Sequence, residues 1–172
     1  MVKKIAITGP ESTGKSTLAS DLAEHYKTVW VPEYAREYLE KINRSYEFDD
    51  ISIIAKEQKK LENQYIDRAK DLLFCDTELL VTKIWSEYKY GNCDHWILNE
   101  LKNPGYDLYL LTDIDIPWEY DPQRENPTER KELFDRYYNE LIQMKFPFKI
   151  INGTREIRLQ NAIHYIDQLV LK

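Results

Sequence analysis

Along this chain the spacing of hydrophobic and polar positions switches repeatedly between continuous apolar runs and helical periods. Ile5-Ala6-Ile7 is a short unbroken apolar run, the pattern of a strand buried on both faces. From Ser16, the residues Leu18, Ala19, Leu22 and Ala23 recur at helical spacing. Thr28-Val29-Trp30-Val31 predicts a second strand closed by Pro32, and Glu33 to Leu39 reads as helical. Asp49 and Asp50 are N-cap candidates for a long helix whose apolar stripe runs through Ile51, Ile54, Leu61, Tyr65, Ala69 and Leu72. Leu72-Leu73-Phe74-Cys75 predicts a third strand, followed by an amphipathic helix from Leu79 to Tyr90 that Gly91-Asn92 stops. A short helix over Asp94–Lys102 and a turn at Asn103-Pro104-Gly105 lead to a fourth strand, Tyr106–Leu111. A helix from Arg130 to about Met144, a fifth strand whose start Pro147 pushes to Phe148, and a last helix complete the pattern. The last helix takes Ile157, Ala162, Ile163, Ile166, Leu169 and Val170 as its apolar face. Five strands alternating with helices imply an α/β fold, one parallel sheet with helices on both faces.

Composition narrows the class. The 172 residues suffice for one domain, taken here as residues 1–172, and 42% hydrophobic with 31% charged is ordinary for a globular protein. No apolar stretch approaches the roughly 20 residues of a membrane span, and Met1-Val2-Lys3-Lys4 runs straight into the first strand without room for a signal peptide. Cys75 and Cys93 share no metal or redox spacing, so a reducing cytoplasm is the expected compartment. A net charge of −6 argues against a broad nucleic-acid surface while leaving a local nucleotide pocket open. His25, His95 and His164 are scattered and fit no catalytic pattern.

Chemistry enters at Gly9-Pro10-Glu11-Ser12-Thr13-Gly14-Lys15-Ser16, which fits G-x-x-x-x-G-K-[ST] at every fixed position and lies between a predicted strand and a predicted helix. Gly9 and Gly14 permit backbone angles that turn successive N–H groups onto phosphate oxygens, and the helix N-terminus adds to that field. Lys15 supplies a point charge to the β- and γ-phosphates, the Ser16 hydroxyl is a Mg²⁺ ligand, and Thr17 opens the helix. ATP and Mg²⁺ are therefore the expected cofactors. Asp76, directly after the third strand, stands where such folds hold the Mg²⁺ shell, and N-capping is its structural alternative. Glu33 and Arg36, three apart after the second strand, share a face where open α/β sheets bind ligands, or form a surface ion pair. Thr112 to Pro127 has three prolines, Trp118, Tyr120 and Arg124, and no regular period. It is expected to be a lid over about 113–130, with Arg124 or Arg130 entering on closure. No N-K-x-D or D-x-x-G follows the strands, which disfavours a GTPase switch and favours a small-molecule kinase.

Taken together, the loop through Thr17, Pro32-Glu33-Tyr34-Ala35-Arg36-Glu37, Asp76-Thr77-Glu78, and Pro117-Trp118-Glu119-Tyr120-Asp121 with Arg124 resemble the ribosylnicotinamide kinase domain of the bacterial NadR family, over nearly the whole chain. Where that family usually has Gly-x-x-Arg, this chain has Pro122-Gln123-Arg124. The resemblance implies a P-loop fold of nucleoside-kinase type that phosphorylates nicotinamide riboside at its 5′-hydroxyl with ATP. The acceptor's pyridinium cation favours aromatic faces, so Trp118 or Tyr120 is the expected stacking partner, with Glu33, Tyr34, Arg36 and Asp76 around the ribose. Glu33 is expected on the hydroxyl side as base and Asp76 on the Mg²⁺ side, with the exchanged roles as the alternative. By analogy with such folds, the Gly153-Thr154 turn seats adenine, with Glu11, Ser12 and Thr13 completing the nucleotide loop. Another small nucleoside or nucleotide kinase, or a non-catalytic ATP-binding sensor, fits the same loop.

Overall fold

The computed structural model describes residues 2–170. These form five strands, β1 (Lys3–Thr8), β2 (Val29–Val31), β3 (Leu72–Asp76), β4 (Leu108–Thr112) and β5 (Phe148–Ile151). The seven helices are α1 (Lys15–Tyr26), α2 (Tyr34–Lys41), α3 (Phe48–Ile66), α4 (Leu79–Tyr90), α5 (His95–Glu100), α6 (Arg130–Gln143) and α7 (Arg155–Val170). The strands make one parallel sheet in the order β2-β3-β1-β4-β5, as the alternation of elements predicts.

Side chains alternate strictly through the three central strands. Ile5, Ile7, Leu72, Phe74, Leu108 and Leu110 point to one face, where α1 and α7 cover them with Leu18, Leu22, Ala162 and Ile166. Ala6, Leu73, Cys75, Tyr109 and Leu111 point to the other, against apolar residues of α3, α4, α5 and α6. With both faces covered, even successive residues of these strands are buried, which is why the sequence reads as apolar runs instead of alternation. The chain leaves β1 for α1 on one face and β3 for α4 on the other. Adjacent strands whose connections part in this way open a crevice at their carboxyl ends, and the loops after β1 and β3 line it.

Several local expectations are corrected. The N-cap of α3 is Glu47, and Asp50 stands at the third helical position, its carboxylate accepting the Glu47 N–H at 2.7 Å as half of a capping box. Asp50 is buried and committed elsewhere too, to Arg44 at 2.7 and 2.9 Å and the Tyr38 hydroxyl at 2.6 Å, and these partners hold its carboxyl well below the usual range. Helix α3 ends at Ile66, so Ala69 and Leu72 lie beyond it. Asp76 is the last residue of β3, and the cap of α4 is Glu78, whose carboxylate accepts the Leu80 N–H at 2.6 Å. On α7, Ile157 and Val170 are exposed. Ile157 folds over the Gly153 turn, where it occupies the space a Cβ on residue 153 would need.

Phe74, fully buried in the face covered by α1, tests this packing. Phe74→Ala is expected to destabilise the fold by about 3–5 kcal/mol, read as a lowered urea midpoint.

Candidate functional site

The crevice is a cavity of about 600 Å³ that runs from the loop after β1 to the first turns of α4 and the start of α7. Its floor is residues 9–14. Gly9 has φ 136°, and a Cβ there would fall 2.6 Å from Thr112 Oγ1 and 3.0 Å from the Thr112 carbonyl, so only glycine permits this approach. The Thr13 and Thr112 hydroxyls lie 2.6 Å apart and reach the carbonyls of Pro10 at 2.7 Å and Thr8 at 3.1 Å, which ties the loop to the ends of β1 and β4. Gly14, at φ 76°, turns the chain into α1. Lys15 Nζ donates to the Pro10 carbonyl at 2.8 Å, keeping its ammonium at the loop, and Ser16 and Thr17 lie open to the cavity.

Behind the loop stands Asp76, paired in register with Ile7 and 1% exposed, with neither carboxylate oxygen hydrogen-bonded. Burial, and then the charge of Glu33, push its carboxyl up to about 7, while Ser16, Lys15 and Arg36 pull the other way. Glu33 lines the cavity and accepts from Thr77 Oγ1 at 3.3 Å. Thr77 is a β-branched residue at φ 68°, a strained conformation held by its N–H to the Ile7 carbonyl at 3.2 Å and by the Glu33 contact. Buried Gln58 of α3 accepts the Tyr34 N–H at 2.8 Å and donates towards the carbonyls of Pro32 and Asp76 at 3.3 and 3.4 Å, so one amide joins the strand ends that present both carboxylates. Glu78 is also fully buried, accepts from the Thr8 hydroxyl at 2.9 Å, and is likewise raised to about 7 by desolvation.

Of the two readings of Glu33 and Arg36, the structure has both residues on the cavity wall and no ion pair between them. Arg36 lines the cavity and pairs with Asp121 at 3.0 Å, across the loop of residues 113–129. Arg124 also lines the cavity, donating to the Glu119 carbonyl at 2.6 Å and to Ser12 Oγ at 3.3 Å. Arg130 donates to the carbonyls of Ser12 at 3.0 Å and Ile116 at 2.9 Å, a brace between the two loops.

The rings expected to stack on the acceptor do not line this cavity. Tyr120 is 85% exposed, and Trp118 lies outside the cavity wall with its ring 5.9 Å from the Arg130 guanidinium. Tyr34 faces Tyr38 and is outside the wall too. The wall is built by Tyr46, Trp85 and Tyr137. Tyr46 and Trp85 meet edge to face at 4.9 Å, and the Tyr46 hydroxyl accepts from Trp85 Nε1 at 2.9 Å and Lys89 at 2.6 Å while donating to Glu125 at 2.6 Å. A sequence signal for Trp85 existed: it stands four residues after Val81 on a helix that starts at the Asp76 turn, and both face the cavity. At the far end Thr154 lines the cavity beside Arg158, which is 3% exposed. Its guanidinium donates to the carbonyls of Gly153, Ile151 and Asp113 at 2.9, 3.1 and 2.9 Å and pairs with Asp115.

The site thus joins an anion-binding loop, two close carboxylates, Arg36 of α2, Arg124 of the 113–129 loop and an aromatic chamber. Among known proteins, the "trifunctional NAD biosynthesis/regulator protein NadR" of Escherichia coli (strain K12) is 31% identical over 153 residues, and that of Salmonella typhimurium is 29% identical over 150 residues. Each comparison covers 83% of this chain and 35% of the relative, so the chain spans about a third of the curated relatives it matches. A NadR protein solved in complex with NR superposes with a TM-score of 0.78 at 21% identity, covering 98% of this chain and 50% of the other. Thymidylate kinase from Ehrlichia chaffeensis superposes at 0.70 and 16% identity over 96% of this chain and 98% of its own, so the fold is that of P-loop kinases. The family model described as an AAA domain matches residues 4–158, and the chain belongs to that family.

Proposed function

We propose that the protein is an ATP-dependent kinase that phosphorylates nicotinamide riboside at its 5′-hydroxyl to give nicotinamide mononucleotide. The observation that carries this reading is the continuity of the cavity, from a phosphate loop at one end to an aromatic chamber rimmed by carboxylates at the other. A pyridinium ring is a flat cation, and the aromatic wall suits it at Trp85 and Tyr137, with Glu33 on the same cavity, since Lys89 already lies 3.8 Å over the Tyr46 ring and pairs with Glu125. The likeness to NAD biosynthesis proteins and to a NadR protein that holds NR supports the same acceptor.

In this reading Glu33, which lines the cavity, orients the 5′-hydroxyl and receives its proton. Lys15 and the N–H groups of residues 9–14 carry the phosphates, Arg124 stands beside them, and Arg36 braces the acceptor side. The two buried, unpartnered oxygens of Asp76 and the Ser16 hydroxyl fit a hard cation such as Mg²⁺, which keeps most of its shell from water and phosphate oxygens. When bound, that ion supplies charge neutralisation on the phosphates. Thr154 and Arg158 frame the adenine end. Among the described residues no helix is long and apolar enough to cross a membrane, and the thiols of Cys75 and Cys93 are free and buried, in keeping with work in the cytoplasm.

Incubation with Mg²⁺-ATP and a panel of nicotinamide riboside, thymidine, uridine and adenosine, with products weighed by mass spectrometry, is expected to show transfer to nicotinamide riboside alone. Transfer only to an uncharged nucleoside would overturn the acceptor assignment, and ATP binding without transfer to any acceptor would leave a sensor. Lys15→Ala is expected to abolish transfer, and Trp85→Ala to raise the KM for the riboside about tenfold with the KM for ATP unchanged.

Stability gives an independent check on Asp76. The unfolded chain releases this proton near the ordinary carboxylate value and the fold only at about 7, so between those limits the folded state holds the extra proton and its stability falls as pH rises. Asp76→Asn cannot ionise. Its urea midpoint is expected to gain on the wild type as pH rises from about 4 to about 7, while transfer is lost.

A further inference from the structure

Phosphate is bound in such a loop by backbone N–H groups, which leaves the side chains between the two glycines free for other work. Here Glu11 and Ser12 are turned to the loop of residues 113–129. The Glu11 carboxylate accepts the Glu125 N–H at 3.1 and 3.3 Å, the Asn126 N–H at 3.0 Å and the Asn126 side-chain amide at 3.5 Å. Ser12 Oγ accepts the Glu119 N–H at 2.8 Å as well as Arg124. The 113–129 loop has no helix or strand of its own, and none of its residues is buried. A segment with so little apolar anchorage opens at low cost, and its position depends on a few polar attachments. The charged ones are the strongest of these.

The same loop is attached again at the acceptor end. The Glu125 carboxylate takes the Tyr46 hydroxyl at 2.6 Å and Lys89 at 3.0 Å, and Gln123 donates to the Arg36 carbonyl at 3.2 Å. Glu125 is therefore held by its backbone at the phosphate loop and by its side chain at the aromatic chamber.

We propose that Glu11 is a positioning residue that latches residues 119–126 to the phosphate loop, so that the segment cradling the phosphates also keeps Arg124 beside them and shields the transferring group from water. Because the latch uses the Glu11 side chain and not the loop amides, cutting it leaves ATP bound but lets water compete with the acceptor for the phosphoryl group. The kinetic consequence rests on the kinase reading above, whereas the mechanical one does not.

The test is hydrogen exchange by mass spectrometry on the whole protein without nucleotide, paired with the ratio of acceptor phosphorylation to ATP hydrolysis. Glu11→Ala is expected to speed exchange of amides 119–126 about tenfold or more, the loss of a charge-assisted bond to two amides, with β1 and α1 unchanged. Glu11→Gln keeps an accepting oxygen without the charge and is expected to fall between. Asn126→Pro removes a donor from the opposite side without touching the phosphate loop, and is expected to reproduce the Glu11→Ala effect. In both full-effect variants the transfer-to-hydrolysis ratio is expected to drop about tenfold while the KM for ATP stays within about twofold. Unchanged exchange in both variants overturns the latch, and faster exchange with an unchanged ratio overturns its role in positioning. If the wild type phosphorylates no acceptor, the kinase reading fails on its own and the exchange data still decide the latch.

Discussion

The close approach of Gly9 to Thr112 sets the rest of the active end. A backbone that passes within side-chain distance of another strand's terminus has one position open to it, and the linked threonine hydroxyls fix that position, Thr112 at the end of β4 donating to the Thr8 carbonyl of β1 and Thr13 to the Pro10 carbonyl of the loop. Because β1 lies between β3 and β4, pinning its exit against β4 also sets the distance from the phosphate loop to Asp76 on the other side. Lys15, Ser16 and the start of α1 inherit their placement from that contact.

The carboxylates near this junction are held at a cost to the fold. Asp76 has no hydrogen-bond partner and Glu78 is wholly buried, so both favour the neutral form. Glu78 repays part of the cost by capping α4 and receiving the Thr8 hydroxyl, which makes it a structural acid. Asp76 has no such return within the protein. A carboxyl kept buried and unpartnered beside a phosphate loop is the kind of local strain that functional sites carry and packing elsewhere offsets.

Most of the sheet was legible in the sequence because strands covered on both faces must be continuous apolar runs, and helix α4 could be bounded at both ends since Gly91 takes the left-handed turn that stops it. The phosphate loop was legible for a similar reason: its chemistry is local to eight residues. The aromatic chamber was not. Tyr46 and Trp85 are 39 positions apart and meet only because α3 and α4 pack side by side, a fact absent from any local window. Trp118 and Tyr120 drew attention by lying in a loop beside an arginine, yet nothing in a loop's composition says which way its rings turn. Asp50 serves the cap of α3 from the third helical position, and its further partners Arg44 and Tyr38 are ones that only tertiary contact reveals.

The outer strands of the sheet have their own consequence. β2 is three residues long, and β5 is four, preceded by Pro147 and carrying Lys149. Neither offers another molecule a long run of unpaired backbone, and proline and lysine further discourage strand addition. The same brevity that leaves the sheet's margins weak as structure thus works against edge-to-edge aggregation.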